Sequence, residues 1–165
     1  MNLKRLFRHL TTSPWRVQRC FPRQTLTAIG QAVSHSEHQH SGELRFVVEG
    51  PLPLGRVLRD VSARERAIEL FSRLRVWDTA ENSGILIYVQ LADREVEIVA
   101  DRGIVASVPQ AFWDDLCRDM ERAFAGGDYQ GGVLTTITKA GAALTTHFPA
   151  QAGNPNELPD SPLVL

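Results

Sequence analysis

The segment Ile85-Leu86-Ile87-Tyr88-Val89-Gln90-Leu91 constrains this chain more than any other part of it, because apolar side chains occur at odd and even positions alike. In an extended strand successive side chains point to opposite faces, so a nearly unbroken apolar run demands cover on both sides. The chain must therefore build a sheet with this strand at its centre and other layers around it. Ala92-Asp93 then makes a tight connection and Arg94 to Ala100 alternates, which predicts a β-hairpin. Val96, Ile98 and Ala100 belong to one layer, whereas Glu95 and Glu97 belong to the other or to solvent.

Upstream, Glu43 to Glu49 places Leu44, Phe46 and Val48 on one side and Glu43, Arg45 and Val47 on the other, the period of a strand. Pro51 and Pro53 end it, and a loop or short turn runs through Leu54, Val57 and Leu58. Helical spacing is predicted over 22–40, with Leu26, Ile29, Ala32 and Val33 on one stripe and Gly42 after the end. Ser62 and Glu65 have the spacing of a capping box, so a helix begins there with Ala67, Ile68, Leu70, Phe71 and Leu74 as its buried face, ending near Trp77. Pro109 opens a helix bearing Phe112, Leu116, Met120 and Phe124, which Gly126-Gly127 closes. Asp128 caps a last helix bearing Val133, Leu134, Ile137 and Leu144, with Gly131, Gly132 and Gly141 allowing close packing.

The pattern reads as a single α/β domain: a small mixed sheet with a β-hairpin, packed against flanking helices in a layered sandwich. A chain of 165 residues can bury roughly two-thirds of its unfolded surface without disulfide or metal staples. Its organisation is expected as a basic amphipathic segment over 1–20, the α/β domain over 21–148, and a disordered tail over 149–165 that holds four of the nine prolines. Cys20 and Cys117 are the only cysteines and form no CxxC, which suits a reducing compartment. No apolar run approaches the roughly 18 residues of a membrane span, and the first residues lack the apolar core of a secretory signal. The expected location is cytoplasmic, peripheral to the inner membrane face.

Charge is distributed unevenly. Residues 1–23 carry Lys4, Arg5, Arg8, Arg16, Arg19 and Arg23 and no acid, a local +6, while the remainder sums to −7. Leu3, Leu6, Phe7 and Leu10 fall at helical spacing against Lys4, Arg5 and Arg8. Such a helix can dock on its own acidic body, on a protein partner, or on an anionic membrane surface. Nucleic acid is not an expected partner, since the −7 body repels phosphates and no aromatic-basic module is present.

The stretches SEHQHSGELRFVVE, ARERAIELFSRLRVWDTAENSGILIYVQLADREVEIVADRGI and FAGGDYQGGVLTTI resemble the TPM domain family, over about 22–148. That family is known from thylakoid-lumen acid-phosphatase-like proteins and bacterial membrane-anchored relatives; this chain is similar to a short cytoplasmic form. The resemblance implies a compact α/β sandwich with a site at one sheet edge near the loop after the second hairpin strand. It also implies two activities found among relatives: divalent-metal-dependent phosphatase chemistry and assistance to membrane protein complexes.

Asp78, Glu81, Asn82, Asp101 and Arg102 are the first candidate site. The hairpin brings the loop entering its first strand beside the loop leaving its second, and carboxylate and amide oxygens there suit calcium or magnesium, with Arg102 free to orient a phosphate. Asp93 lies at the other end of the hairpin and is set aside. The alternative is a solvated loop with Asp78 as a turn residue and Arg102 paired to an acid. Glu37, His40 and Glu43 form a second candidate: Glu37 and His40, three apart, share a helix face, a spacing used in metal-binding bundles. Exposed residues at a helix end are the plainer reading.

Cys117 reads as a buried thiol and Cys20 as an inert one, and no GxSxG, HExxH, GxxxxGK[ST] or GxGxxG occurs. Leu3, Phe7, Trp15 and Trp113 are candidate docking residues, Trp113 because it lies off the main stripe of its helix. Two functions follow: a non-enzymatic interaction or accessory domain of a membrane-associated assembly, and a weak metal-assisted phosphohydrolase in which Arg102 stabilises developing charge.

Overall fold

The computed structural model describes residues 3–13, 15–150 and 155–165. Residues 84–90 form β2 (Gly84–Gln90), buried at every position. It pairs in parallel with β1 (Glu43–Glu49) and antiparallel with β3 (Glu95–Ala100), the expected hairpin. A two-residue strand, β4 (Leu163–Val164), runs parallel to β1 on its other side, giving the order β3-β2-β1-β4.

Side-chain alternation sends the sheet's residues into two cores. Leu44, Phe46, Val48, Ile85, Ile87, Val89, Val96 and Ile98 pack on one face against α3 (Arg23–Glu37), α7 (Gln110–Ala125) and α8 (Tyr129–His147). Val47, Leu86, Tyr88 and Val99 pack on the other against α5 (Ala63–Arg73). Each Ile or Val withdrawn fully from water contributes about 1.5–3 kcal/mol, so a strand apolar on both faces holds two layers at once. The result is three layers, helices on either side of one mixed sheet. At Gly132 of α8, an added Cβ would lie 2.9 Å from the Ala123 Cβ of α7, which is why these helices approach as closely as they do.

Local capping signals hold where the sequence places them. Ser62 and Glu65 form a reciprocal capping box, and Asp128 accepts from the Gly131 N–H at 2.8 Å. On α5, however, Ile68 points to solvent while Arg66 takes a buried place. Its guanidinium donates to both oxygens of Glu49, at 2.9 and 2.8 Å, and the Tyr88 hydroxyl donates to the same carboxylate at 2.7 Å. Burial pushes the Tyr88 hydroxyl up, so it stays a donor. Removing one member of such a buried pair costs about 3–5 kcal/mol, because the other charge is left stranded.

At the ends of the chain one expectation is corrected and one helix is added. The tail, expected to be disordered, is tied down from Leu158 onward. Leu158 is buried beside α5 and its N–H donates to Glu43 Oε2 at 2.9 Å; Arg45 donates to the carbonyls of Pro159 and Ser161; Gly50 and Leu165 exchange backbone bonds with the tail and with β1. An open strand edge offers unpaired backbone groups, and a few apolar residues spaced along a proline-rich segment suffice to occupy it. At the other end, residues 3–11 form α1 (Leu3–Thr11) as expected, followed by α2 (Trp15–Cys20), which periodicity did not reveal. Both lie against the body. The short α4 (Leu54–Leu58) packs against α1, and α6 (Arg102–Val105) follows β3.

Candidate functional site

The hairpin joins the two ends of the sheet that carry chemistry. At the open end Asp101 is the N-cap of α6, its Oδ1 accepting from the Arg102 N–H at 2.7 Å. Its second oxygen, Oδ2, is buried without a hydrogen-bond partner among the described residues. The Arg102 guanidinium donates to Asn82 Oδ1 at 2.8 Å, and the Gly103 N–H donates to the Asn82 carbonyl at 3.1 Å. Asn82 adopts a φ of 53°, a conformation asparagine tolerates better than most residues. Gly103 is needed here for space and lies within α6 rather than at a positive φ: a Cβ would sit 2.7 Å from the carbonyl oxygens of both Glu81 and Asn82.

Asn82, Asp101 and Arg102 are thus brought together. Asp78 and Glu81 are directed elsewhere: Asp78 is exposed and pairs with Arg75 at 2.7 Å, and Glu81 accepts from the Ser41 hydroxyl. Calcium takes six to eight oxygen ligands. The loop offers Asp101 Oδ2 and nearby carbonyls, but the neighbouring amide oxygen already serves a guanidinium, so the residues fit a cation only in its first ligand.

The second candidate group does not share a helix face. Helix α3 stops at Glu37, and His40 lies in the turn beyond it, fully buried. His40 Nδ1 is 2.9 Å from the Gly42 carbonyl and Nε2 is 2.9 Å from Ser36 Oγ. A carbonyl only accepts, so Nδ1 carries the proton and the neutral ring accepts from the Ser36 hydroxyl. Burial holds His40 below its ordinary value, in keeping with this neutral role. Glu37 Oε1 accepts from the Leu44 N–H at 2.8 Å, while Oε2 is buried and unpartnered among the described residues. Burial pushes this carboxyl up to about 8, with Glu43 and Asp160 adding repulsion. Glu43 serves the tail instead, and burial raises it as well.

The cluster that sequence reasoning missed is at the hairpin turn. Asp93, almost fully buried, accepts from Arg5 Nε and Nη2 at 3.0 and 2.9 Å and lies 3.0 Å from His9 Nε2. The Leu52 N–H donates to His9 Nδ1 at 3.0 Å, which leaves Nε2 as the nitrogen that donates to Asp93. Arg8 adds a bond to the Asp93 carbonyl at 3.1 Å. Burial alone would push Asp93 up, but Arg5 and His9 bring it below the ordinary carboxylate range. No local signal announces this cluster, since its partners lie 84 to 88 residues apart in the chain.

Because Arg5, His9 and Thr12 face the body, the apolar side of α1 faces away from it. Leu3, Phe7 and Leu10 are 67%, 69% and 66% exposed, and Trp15 at the start of α2 is 74% exposed. Trp113, also expected at a docking surface, is in the core at 1% exposure, edge-on to Phe112 at 5.0 Å. The buried stripe of α7 is Trp113, Leu116 and Met120; Leu116 and Met120 are as read from the sequence, while Trp113 takes the fully buried place expected of Phe112, which with Phe124 is only partly buried. Beside Trp15 a broad basin of about 800 Å³ is lined by Arg8, Arg16, Arg19, Cys20 and Tyr129, and a smaller cavity of about 220 Å³ adjoins it behind Arg16 and Tyr129. The thiol of Cys117 is pushed up to about 12, chiefly by burial, which disfavours the thiolate.

The fold and its hairpin-edge loop define a three-layer α/β sandwich of a kind shared with small bacterial proteins. The TPM domain family model matches residues 18–143, and the chain belongs to that family. It is similar to the BA42 protein from the psychrophilic bacterium Bizionia argentinensis, solved by NMR, with 30% identity, a TM-score of 0.76, and coverage of 86% of this chain and 93% of that one. The N-terminal domain of a P. gingivalis protein, also solved by NMR, shares the fold at 15% identity and a TM-score of 0.62, covering 87% and 96%. No curated protein matches this chain. Among the described residues no helix is long and apolar enough to cross a membrane, and no three His, Cys, Asp or Glu side chains are grouped to hold a metal ion.

Proposed function

We propose that this protein is a non-enzymatic TPM interaction module, an accessory to a membrane-associated assembly, with α1 and α2 as its contact surface. The observation that carries this reading is the orientation of α1, which binds its own body through Arg5 and His9 and leaves Leu3, Phe7 and Leu10 in solvent. An amphipathic helix ordinarily buries its apolar side, and a contiguous exposed apolar patch marks a surface that meets something else. The test is fractionation of tagged full-length protein from cells. Wild type should sediment with membranes, and a Leu3→Ser, Phe7→Ser, Leu10→Ser variant should stay in the supernatant with an unchanged circular dichroism spectrum. Equal sedimentation of the two would overturn the reading.

A second reading, a weak metal-assisted phosphohydrolase, has one observation in its favour: the buried, unpartnered Asp101 Oδ2 beside Arg102. A cation held by Asp101 would polarise a phosphoryl oxygen, and Arg102 would turn from Asn82 to orient the phosphate. Calorimetric titration of calcium, magnesium and manganese into chelator-stripped protein tests it. Saturable heat that disappears in Asp101→Asn supports this reading, and its absence for all three ions removes it.

A further inference from the structure

The partner of the α1 surface can be narrowed by its chemistry, in an argument that rests on the interaction reading above. At 100° per residue, Leu10, Leu3 and Phe7 span one arc of α1, and Thr11, Lys4 and Arg8 follow along its edge. Helix α4, against which α1 packs, leaves Leu54 and Leu58 about half exposed. Beyond Arg8 the surface continues into the basin of Arg16 and Arg19, with Trp15 on its rim.

Three of the five cations on this face have no acidic partner among the described residues. Arg5 is engaged by Asp93 and Asp60 and Arg8 reaches Asp93 at 3.7 Å, whereas Lys4, Arg16 and Arg19 have no carboxylate within salt-bridge distance among the described residues. Residues 1–23 contain no acid at all, and the −7 of the remainder is carried by the rest of the chain.

We infer that this face seats on the surface of a bilayer containing anionic lipid, with α1 lying in the plane of the interface. Leu3, Phe7 and Leu10 enter the boundary between headgroups and acyl chains, Trp15 sits at headgroup level, and Lys4, Arg16 and Arg19 meet lipid phosphates. The separation of charge orients the molecule, since an anionic surface attracts the +6 segment and repels the body. A protein partner would need acids interleaved with apolar pockets to match the same surface. A bilayer presents phosphates above hydrocarbon over an unlimited area and needs no such register.

The experiment is sedimentation of the full chain with vesicles of phosphatidylcholine alone and of phosphatidylcholine with about 30% phosphatidylglycerol. Strong binding is expected to the anionic vesicles and weak binding to the neutral ones. Phe7→Ser combined with Leu10→Ser should lower the partition coefficient at least about tenfold. Lys4→Gln and Arg19→Gln should each lower it about fivefold at low salt and much less at high salt. In a Trp77→Phe background, tryptophan emission should shift to the blue on binding, and adding Trp15→Phe should abolish the shift, since Trp113 is already buried.

No binding to anionic vesicles, or undiminished binding by the Phe7, Leu10 variant, overturns the inference. If in that case the protein still sediments with cell membranes in a manner lost in the triple-serine variant, the partner is a protein and only the bilayer assignment falls. If light scattering shows a dimer that the triple-serine variant abolishes, a second copy covers the face and the bilayer assignment is again overturned.

Discussion

The two ends of the β2–β3 hairpin each carry a buried aspartate, and they are held in opposite ways. Asp93 at the turn is saturated by Arg5 and His9, groups that come from the far end of the chain. Asp101 at the open end spends one oxygen on its own next residue and leaves the other unpartnered among the described residues. A buried carboxylate is tolerated where charged donors compensate its lost hydration, and an uncompensated one is where a ligand would be expected. The turn end therefore reads as the joint that seats α1, and the open end as the place that retains unused chemistry.

The largest test breaks the joint. Asp93→Ala takes from the half-buried Arg5 guanidinium its buried carboxylate, leaving it Asp60 and the Val61 carbonyl, and removes the acceptor of His9; it should cost about 3 kcal/mol in urea unfolding. It should also make residues 1–20 the first site of proteolysis. A loss under about 1 kcal/mol would mean that α1 is seated by something other than this cluster.

Next comes a contrast in pH dependence between Asp93 and Glu37. Asp93 is depressed in the folded state, so it stabilises the fold above its unfolded value of 3.8 and this contribution is lost as the pH falls. Glu37 is raised to about 8 by burial, so its contribution is fully present below its unfolded value of 4.5 and is lost as the pH rises toward 8. Glu37→Gln should flatten that decline, its advantage over wild type growing by roughly 2 kcal/mol between about pH 5 and pH 8, allowing for solvent screening. Parallel pH profiles for the two proteins would show that Glu37 ionises in the fold as easily as in water.

Asp101→Asn should change stability by less than about 1 kcal/mol, because asparagine caps a helix about as well as aspartate. Chemical denaturation checks this. A loss well above that would show that Oδ2 is compensated after all, and the contrast with Asp93 would narrow. The smallest effect is expected at Phe7→Ser, within about 0.5 kcal/mol by thermal melting, since an exposed side chain contributes little to the isolated fold. A larger loss would place Phe7 against the body rather than in solvent.

Much of the architecture was legible in residue order. The doubly apolar run at 85–91, the alternation at 43–49 and 95–100, and the caps at Ser62 and Asp128 depend on neighbours within a few positions, and each stands in the structure. The open hairpin end was legible in part: antiparallel pairing had to bring Asn82 near Asp101 and Arg102, and Arg75, three residues before Asp78, was a local partner for it, but nothing local told that the distant Ser41 would take Glu81 away. The metal spacing of Glu37 and His40 failed because α3 ends between them, at a turn that the buried His40 itself ties to Ser36 and Gly42.

What the sequence determined alone was the period of each element and hence the layered sheet, because those patterns are imposed by backbone geometry over a few residues. The tertiary structure decided which way α1 faces, that Trp113 is core, and that the tail becomes β4. In each case the outcome rests on partners far away in the chain, and the deciding interaction is between a buried group and whichever distant donor or apolar surface compensates it. An amphipathic helix specifies that it has two sides; Asp93, with Asp60, Val61 and Leu52 beside it, determines which of them meets the protein and which is left for the surroundings.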